Sequence, residues 1–256
     1  MIIYYEPGGV IKIEFEENKE IKLSDQPLNL TDLHFGNFYN KPIIKNTLLP
    51  SIKKIIFGDN FNQNIEPNIL PQNLYYLEFG KYFKKEIDAD ILPKNINYLI
   101  FKGSYNYLIK LNTLPKKLIY LFFLYNKFEI EKYVLPNTLI YIKLGYNYNY
   151  EFKKGVLPEK LEYLELGGIY SHVIKEVPKT LKFLSTCGSK ENELLLNNLP
   201  NTITTLILYN LEVTLNNLPI NLKFIKLICY TENTLKLLKL PFGCKVFDRF
   251  DKEIKI

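Results

Sequence analysis

The side chains able to do chemistry are few and scattered. Two histidines, His34 and His172, and three cysteines, Cys187, Cys229 and Cys244, stand far apart. They form no CxxC and no His/Cys cluster with zinc spacing. Asp88 with Asp90, and Glu16 with Glu17, are acidic neighbours. Adjacency in sequence does not make an acid–base pair, and such acids usually sit solvated in loops. The sequence contains no GxSxG, no P-loop and no HExxH. These readings predict a chain that is not an enzyme, with no cofactor and no bound metal. His34 is expected at the surface. The cysteines are expected to be buried small apolar groups, with Cys187 and Cys229 taking the place of the turn glycine or its neighbour. Their odd number fits a reducing compartment, and the expected location is the cytoplasm.

The constellation that recurs is aromatic. Tyr76, Tyr98, Tyr120, Tyr141 and Tyr163 follow one another at steps of 21 or 22 residues, and Phe183 comes next. Two residues after each tyrosine stand Glu78, Ile100, Phe122, Lys143 and Glu165. Residues two apart on a strand share a face, so parallel strands in register would line these rings up about 4.8 Å apart. One reading is a self-stacking ladder that stiffens a sheet. The other is a contact surface: tyrosine supplies large amphipathic area at low entropic cost, and Ile100 and Phe122 widen the stripe into an apolar patch. Scattered lysines such as Lys53, Lys143, Lys182, Lys223 and Lys226 could alternatively meet a polyanion, with tyrosine stacking between them.

Strands at a fixed interval must hold such a stripe, and the prolines reveal that interval. Eleven of the 14 prolines fall in one register: Pro27, Pro50, Pro71, Pro93, Pro115, Pro136, Pro158, Pro178, Pro200, Pro219 and Pro241, at steps of 19 to 23 residues. Leu74, Leu77 and Phe79 follow Pro71 by three, six and eight positions, and Ile96, Leu99 and Phe101 follow Pro93 likewise. The unit at Pro50 is one residue short, and Ile52, Ile55 and Phe57 fill the same roles. Glycine often closes the run, as at Gly36, Gly58, Gly80, Gly145 and Gly167. Each unit reads L-P-x-x-L-x-x-L-x-[FL]-G: a corner at the proline, a short half-buried strand, then a tight turn where a Cβ would crowd the adjoining coil. One unit cannot bury its own ridge, so the units must stack. The predicted fold is a repeat solenoid of about eleven coils, with a parallel sheet on a concave face and an irregular or 3₁₀ convex side.

The pattern is similar to leucine-rich repeats, and more closely it resembles the FNIP repeat, in which F-N-x-x-I follows the glycine. That signature stands as Phe61-Asn62-Gln63-Asn64-Ile65, with weaker forms at Tyr39-Asn40-Lys41-Pro42-Ile43, at Phe83 with Ile87, and at Tyr148-Asn149 with Phe152. The likeness covers about residues 27 to 241, and the Gly and Phe-Asn elements fade in the last four units. The resemblance implies a relative from amoebae or from the giant DNA viruses that infect them. A composition with 27 Asn, one Arg and one Ala would suit an AT-rich genome of that kind. Many relatives join an N-terminal F-box to the repeats and look like substrate receptors of a ubiquitin ligase. Only about 26 residues precede the first repeat here, shorter than an F-box.

Composition bounds the rest. With 47% hydrophobic and 23% charged residues the chain is expected to fold around a large core. Its net charge of +6 is spread among 27 acids, so it reads as solubility charge, and no run is apolar enough for a membrane span. The N-terminus lacks the features of a secretory signal. Residues 1–26 are expected to form a β-hairpin cap turning at Pro7-Gly8-Gly9, residues 27–241 one elongated solenoid, and residues 242–256 a capping strand and charged tail. The expected function is a protein-interaction module, adaptor-like, for an unidentified protein partner. Its contact residues would be Tyr76, Tyr98, Tyr120, Tyr141, Tyr163, Phe183, Ile100, Phe122, Glu78 and Lys143, in the cytoplasm of a host cell if the chain is viral. The alternatives are a polyanion or nucleic-acid binder and a self-associating virion component.

Overall fold

In the computed structural model the described residues are 2–5, 11–15, 17–236 and 238–255. The chain is a parallel-strand repeat solenoid of the leucine-rich-repeat type, about ten turns of about 22 residues with little helix. It divides into two compact units, Met1–Phe128 and Glu129–Ile256.

The first unit holds β1 (Ile2–Tyr5), β2 (Ile11–Phe15), β3 (Asp32–Phe35), β4 (Lys54–Ile56), β5 (Tyr76–Phe79), β6 (Tyr98–Tyr105) and β7 (Tyr120–Asn126). β1 pairs antiparallel with β2, and from β2 onward each strand pairs parallel with the next. The Pro7-Gly8-Gly9 turn expected between β1 and β2 lies outside the described residues. The second unit holds β8 (Tyr141–Lys143), β9 (Tyr163–Glu165), β10 (Phe183–Gly188), β11 (Thr205–Leu211), β12 (Phe224–Cys229), β13 (Lys245–Phe247) and β14 (Glu253–Ile254). Here β8 to β13 run parallel, and β14 folds back antiparallel on β13. The segment read from sequence as a charged tail thus adds a strand.

The register follows from the repeat. Leu33, Ile55, Leu77, Leu99 and Leu121 are ladder partners in turn, and each is fully buried. Burying each such side chain stabilises by about 1.5–3 kcal/mol. The prolines stand at the corners, as their missing N–H requires. The carbonyl of Pro71 accepts from Leu74 N–H at 3.1 Å, that of Pro115 from Leu118 at 3.0 Å, and that of Pro158 from Leu161 at 3.1 Å. In the short coil Leu49 takes over the acceptor role of Pro50, bonding Ile52 N–H at 3.2 Å, so the strand register survives the missing residue.

After the strand the coils touch backbone to backbone. A Cβ on Gly80 would lie 2.2 Å from the Gly58 carbonyl oxygen, and one on Gly167 2.4 Å from Tyr146 Cα. The far side of each coil is irregular, as predicted, but its bends are tight turns. Among the described residues 3₁₀ backbone is confined to Leu23–Asp25 and Lys190–Asn192. Those turns place one residue per coil in the left-handed region: Asn46, Asn68, Asp90, Asn112, Tyr133 and Gly155. Asn, Asp and Gly tolerate that conformation; a tyrosine adopts it only under strain. In the second unit two short helices, α1 (Glu193–Leu196) and α2 (Glu232–Leu235), stand in the outer segments where the Phe-Asn signature has faded.

Candidate functional site

From β3 to β13 each strand begins with a residue turned away from the leucine spine, and the register fixes its neighbours. In the first unit Lys54, Tyr76, Tyr98 and Tyr120 are successive ladder partners, and so are Ile56, Glu78, Ile100 and Phe122 two residues on. The Tyr98 and Tyr120 rings stack at 4.2 Å and 7°, while Tyr76 and Tyr98 stand at 5.8 Å and 31°. Lys54 Nζ lies 4.7 Å from the Tyr76 ring centre, and Tyr120 meets Phe122 at 6.4 Å. The Tyr76 hydroxyl donates to Glu78 Oε2 at 2.7 Å, and Lys102 pairs with the same carboxylate. Glu78 is buried although it is on the open face of the sheet, because its neighbours cover it. Burial, then the bond to Glu78, hold the Tyr76 hydroxyl well above the usual tyrosine range.

The second unit repeats the arrangement with different polar partners. Tyr141, Tyr163 and Phe183 are ladder partners, with ring centres 5.3 Å and 6.0 Å apart. The Tyr141 hydroxyl donates to Glu165, and Lys143 Nζ sits 2.7 Å from the same carboxylate. Burial pushes the Glu165 carboxyl up and the Lys143 ammonium down. Desolvation therefore opposes the attraction within this half-covered pair.

All ten residues singled out from the sequence lie on this outer face, each the first or the third residue of its strand. The structure brings Tyr76, Tyr98, Tyr120, Glu78, Ile100 and Phe122 together in the first unit, and Tyr141, Tyr163, Phe183 and Lys143 in the second. Except for buried Glu78 they are half-buried, each ring leaning on the next. The lysines named for a polyanion are less available than composition suggests. Lys143, Lys182 and Lys226 are paired with Glu165, Glu162 and Asp251.

Sequence reasoning missed a second aromatic set. Phe38 and Tyr82 stand just past β3 and β5, and Tyr125 near the end of β7, 73%, 47% and 48% exposed, more open than the tyrosine stripe. Their signal was present, since Phe38 and Tyr82 each lie eleven residues after the corner proline. Also missed was an amide ladder. Asn18, Asn40 and Asn62 each accept, through Oδ1, the backbone N–H of residue 40, 62 or 84 in the following coil at 2.9 Å. Asn149 does the same for Ser171 at 2.9 Å. That is the physical role of the Asn in the Phe-Asn signature.

The remaining candidates dissolve. His34 is half-buried on β3, in ladder register with Glu14 and Ile56. His172 meets the Asn149 carbonyl at 2.9 Å. Cys187 is buried as expected, but Cys229 is exposed and Cys244 partly so. Cys229 ends β12 beyond the last buried position, Leu227, so no core remains there to cover it. Among the described residues no group of three His, Cys, Asp or Glu side chains could hold a metal ion, and no helix is long and apolar enough to cross a membrane.

The FNIP Repeat family model matches residues 18–60, 39–82, 83–126 and 125–168. No curated protein is similar to the chain. Among solved structures, CroV588, described as a novel circular LRR protein, is similar with a TM-score of 0.59 and 24% identity, covering 93% of this chain and 43% of that one. The chain thus spans less than half the length of that relative. YopM from Yersinia enterocolitica WA-314 is similar at 18% identity with a TM-score of 0.43, over 86% of this chain and 56% of that one.

Proposed function

The chain belongs to the FNIP-repeat family, and on that premise we propose that it is a non-enzymatic interaction module whose outer sheet face receives a protein partner. Leucine-rich-repeat folds commonly mediate protein–protein contacts, which supports the class of function. The observation that carries the site is the half-exposed stripe of Tyr76, Tyr98 and Tyr120 beside Ile100 and Phe122, held in fixed register. Such a surface loses little freedom on docking, because strand pairing and ring stacking have already ordered it. Tyr141, Tyr163 and Phe183, beside Lys143, form the corresponding surface of the second unit.

The test is capture of partners from a host-cell extract by the full chain and by two variants, Tyr98→Ser with Tyr120→Ser, and Tyr141→Ser with Tyr163→Ser. These rings lie outside the leucine core, so circular dichroism should be unchanged. Loss of a partner from either variant supports that face as the site. Unchanged capture by both removes the sheet face from consideration. A salt titration of the same complex separates the readings, since polyanion binding weakens steeply with salt and an aromatic interface does not.

A further inference from the structure

A cleft opens at the carboxyl ends of the strands in the first unit, away from the tyrosine stripe. β5 stops at Phe79, whereas β6 continues to Tyr105 and β7 to Asn126. The register shifts between Phe101 and Ser104, and the extension then pairs Ser104 with Tyr125. A Cβ on Gly103 would lie 1.8 Å from the Lys81 carbonyl oxygen, so the extended strands press directly on the turn at Lys81. The result is a wall of Ser104 and Tyr125 beside a floor of Lys81, Tyr82, Lys84 and Lys102, with one acid, Asp59, also in the lining.

Some lysines on the coils are matched to acids one coil away: Lys110 to Glu86 and Asp88, Lys153 to Glu129, Lys175 to Glu151. Within the cleft Lys102 is likewise paired, with Glu78. Among the described residues Lys81 and Lys84 have no ion pair. Lys81 Nζ lies 5.4 Å from the Tyr82 ring centre instead. The cationic patch is also short. The column containing Lys81 continues as Asp59 and Asn37, each of which accepts the next coil's backbone N–H at its side chain (3.2 and 3.3 Å). A nucleic-acid strand needs a basic track along several units. This patch ends at an acid.

We infer that the cleft binds a short acidic peptide segment carrying an aromatic side chain, its carboxylates on Lys81 and Lys84 and its ring against Tyr82 and Tyr125. Ammonium groups are point charges that suit scattered carboxylates, and the exposed tyrosine faces offer amphipathic area for a ring. This site is distinct from the sheet face and rests on the proposed function only in taking the partner to be a protein.

The test is fluorescence anisotropy of a labelled Glu-Tyr-Glu-Glu-Tyr-Glu peptide with the full chain. Binding should fall roughly tenfold or more in Lys81→Glu with Lys84→Glu, fall less in the milder Lys81→Gln with Lys84→Gln, and hold in Lys110→Glu, whose charge lies outside the cleft. No binding by the wild-type chain, or equal loss in Lys110→Glu, overturns the inference. Tighter binding of a labelled single-stranded oligothymidylate of equal charge overturns it too. The Tyr98→Ser with Tyr120→Ser variant should bind the peptide normally, so failure of the cleft and failure of the sheet face read out separately.

Discussion

The two units share a leucine spine but fill the space beside it differently. In the first, Phe35, Phe57, Phe79, Phe101 and Phe123 form a column with successive ring centres 5.0, 5.6, 5.2 and 4.9 Å apart. A second column of Tyr39, Phe61, Phe83 and Tyr105 locks against it, with cross-contacts of 3.9 Å at Phe57–Phe61 and 4.0 Å at Phe79–Phe83. In the second unit Leu144, Leu166, Leu208 and Leu227 take the first column. The second column continues there as Tyr148 and Tyr170, stacked at 6.2 Å and 3°, with Phe152 packed against both at 5.5 Å and 5.8 Å. One backbone therefore accepts either an aromatic zipper or an aliphatic core, provided that each coil keeps its volume.

Where the second column is polar, its polar atom has a shared task. Tyr105 Oη accepts Ile87 N–H at 3.2 Å, and Asn192 Oδ1 accepts Ile174 N–H at 3.4 Å, each from the preceding coil. The hydroxyls of Tyr39, Tyr148 and Tyr170 face Ile21, Ile130 and Phe152 N–H in the same relation, without reaching full hydrogen-bond geometry.

The largest effect should come from the aromatic zipper. Phe79→Ala removes a ring stacked on both sides and within its own coil, and is expected to cost about 3–5 kcal/mol in chemical denaturation. Leu166→Ala, at the matching place in the second unit, should cost about 2–5 kcal/mol, and less than Phe79→Ala because no ring stack is lost. Equal losses would show that stacking adds nothing beyond buried volume.

An alkaline transition should come next. Burial above all pushes Tyr39 and Tyr105 up to about 12, and lifts Tyr148 and Tyr170 higher still. The unfolded chain loses these protons near pH 10, while the folded protein keeps them. Stability is therefore full below about pH 10 and falls as pH rises toward 12, by about 2–3 kcal/mol for Tyr105. Melting curves across that range, with tyrosinate absorbance as the second readout, check the sign. Tyr105→Phe should flatten the slope in the first unit, and Tyr148→Phe in the second.

The smallest effect concerns the outer turns. The first unit places Asn46, Asn68, Asp90 and Asn112 in the left-handed region, whereas the second places Tyr133 there, at φ 69°. The Tyr133 ring is 72% exposed, so little packing is lost on replacing it. Tyr133→Asn should stabilise by about 0.5–1 kcal/mol. A loss of stability would mean that the Tyr133 ring, with Lys132 Nζ 4.7 Å from it, matters more than its backbone.

Much of the fold was legible because its period is written in residue types that do one job each. Proline marks the corner, leucines two apart give a strand, and glycine marks close approach; the outer stripe then follows from strand parity alone. The left-handed turn residues were legible too, as Asn68, Asp90 and Asn112 three positions before Pro71, Pro93 and Pro115, but only for a reader already looking there. The extension of β6 and β7 was not legible. It arises where Gly103 lets one coil press on another, a contact between residues 22 apart.

By itself, then, the amino-acid order determined the repeat, the buried spine and which side chains face away from it, because each depends on alternation along one strand or on a residue's own backbone limits. Only the tertiary structure decided which charges are neutralised and which rings are covered. Lys143 and Lys226 find acids in adjoining coils while Lys81 and Lys84 do not. That outcome rests on the spacing between chain segments packed side by side, and a one-dimensional pattern carries no measure of it.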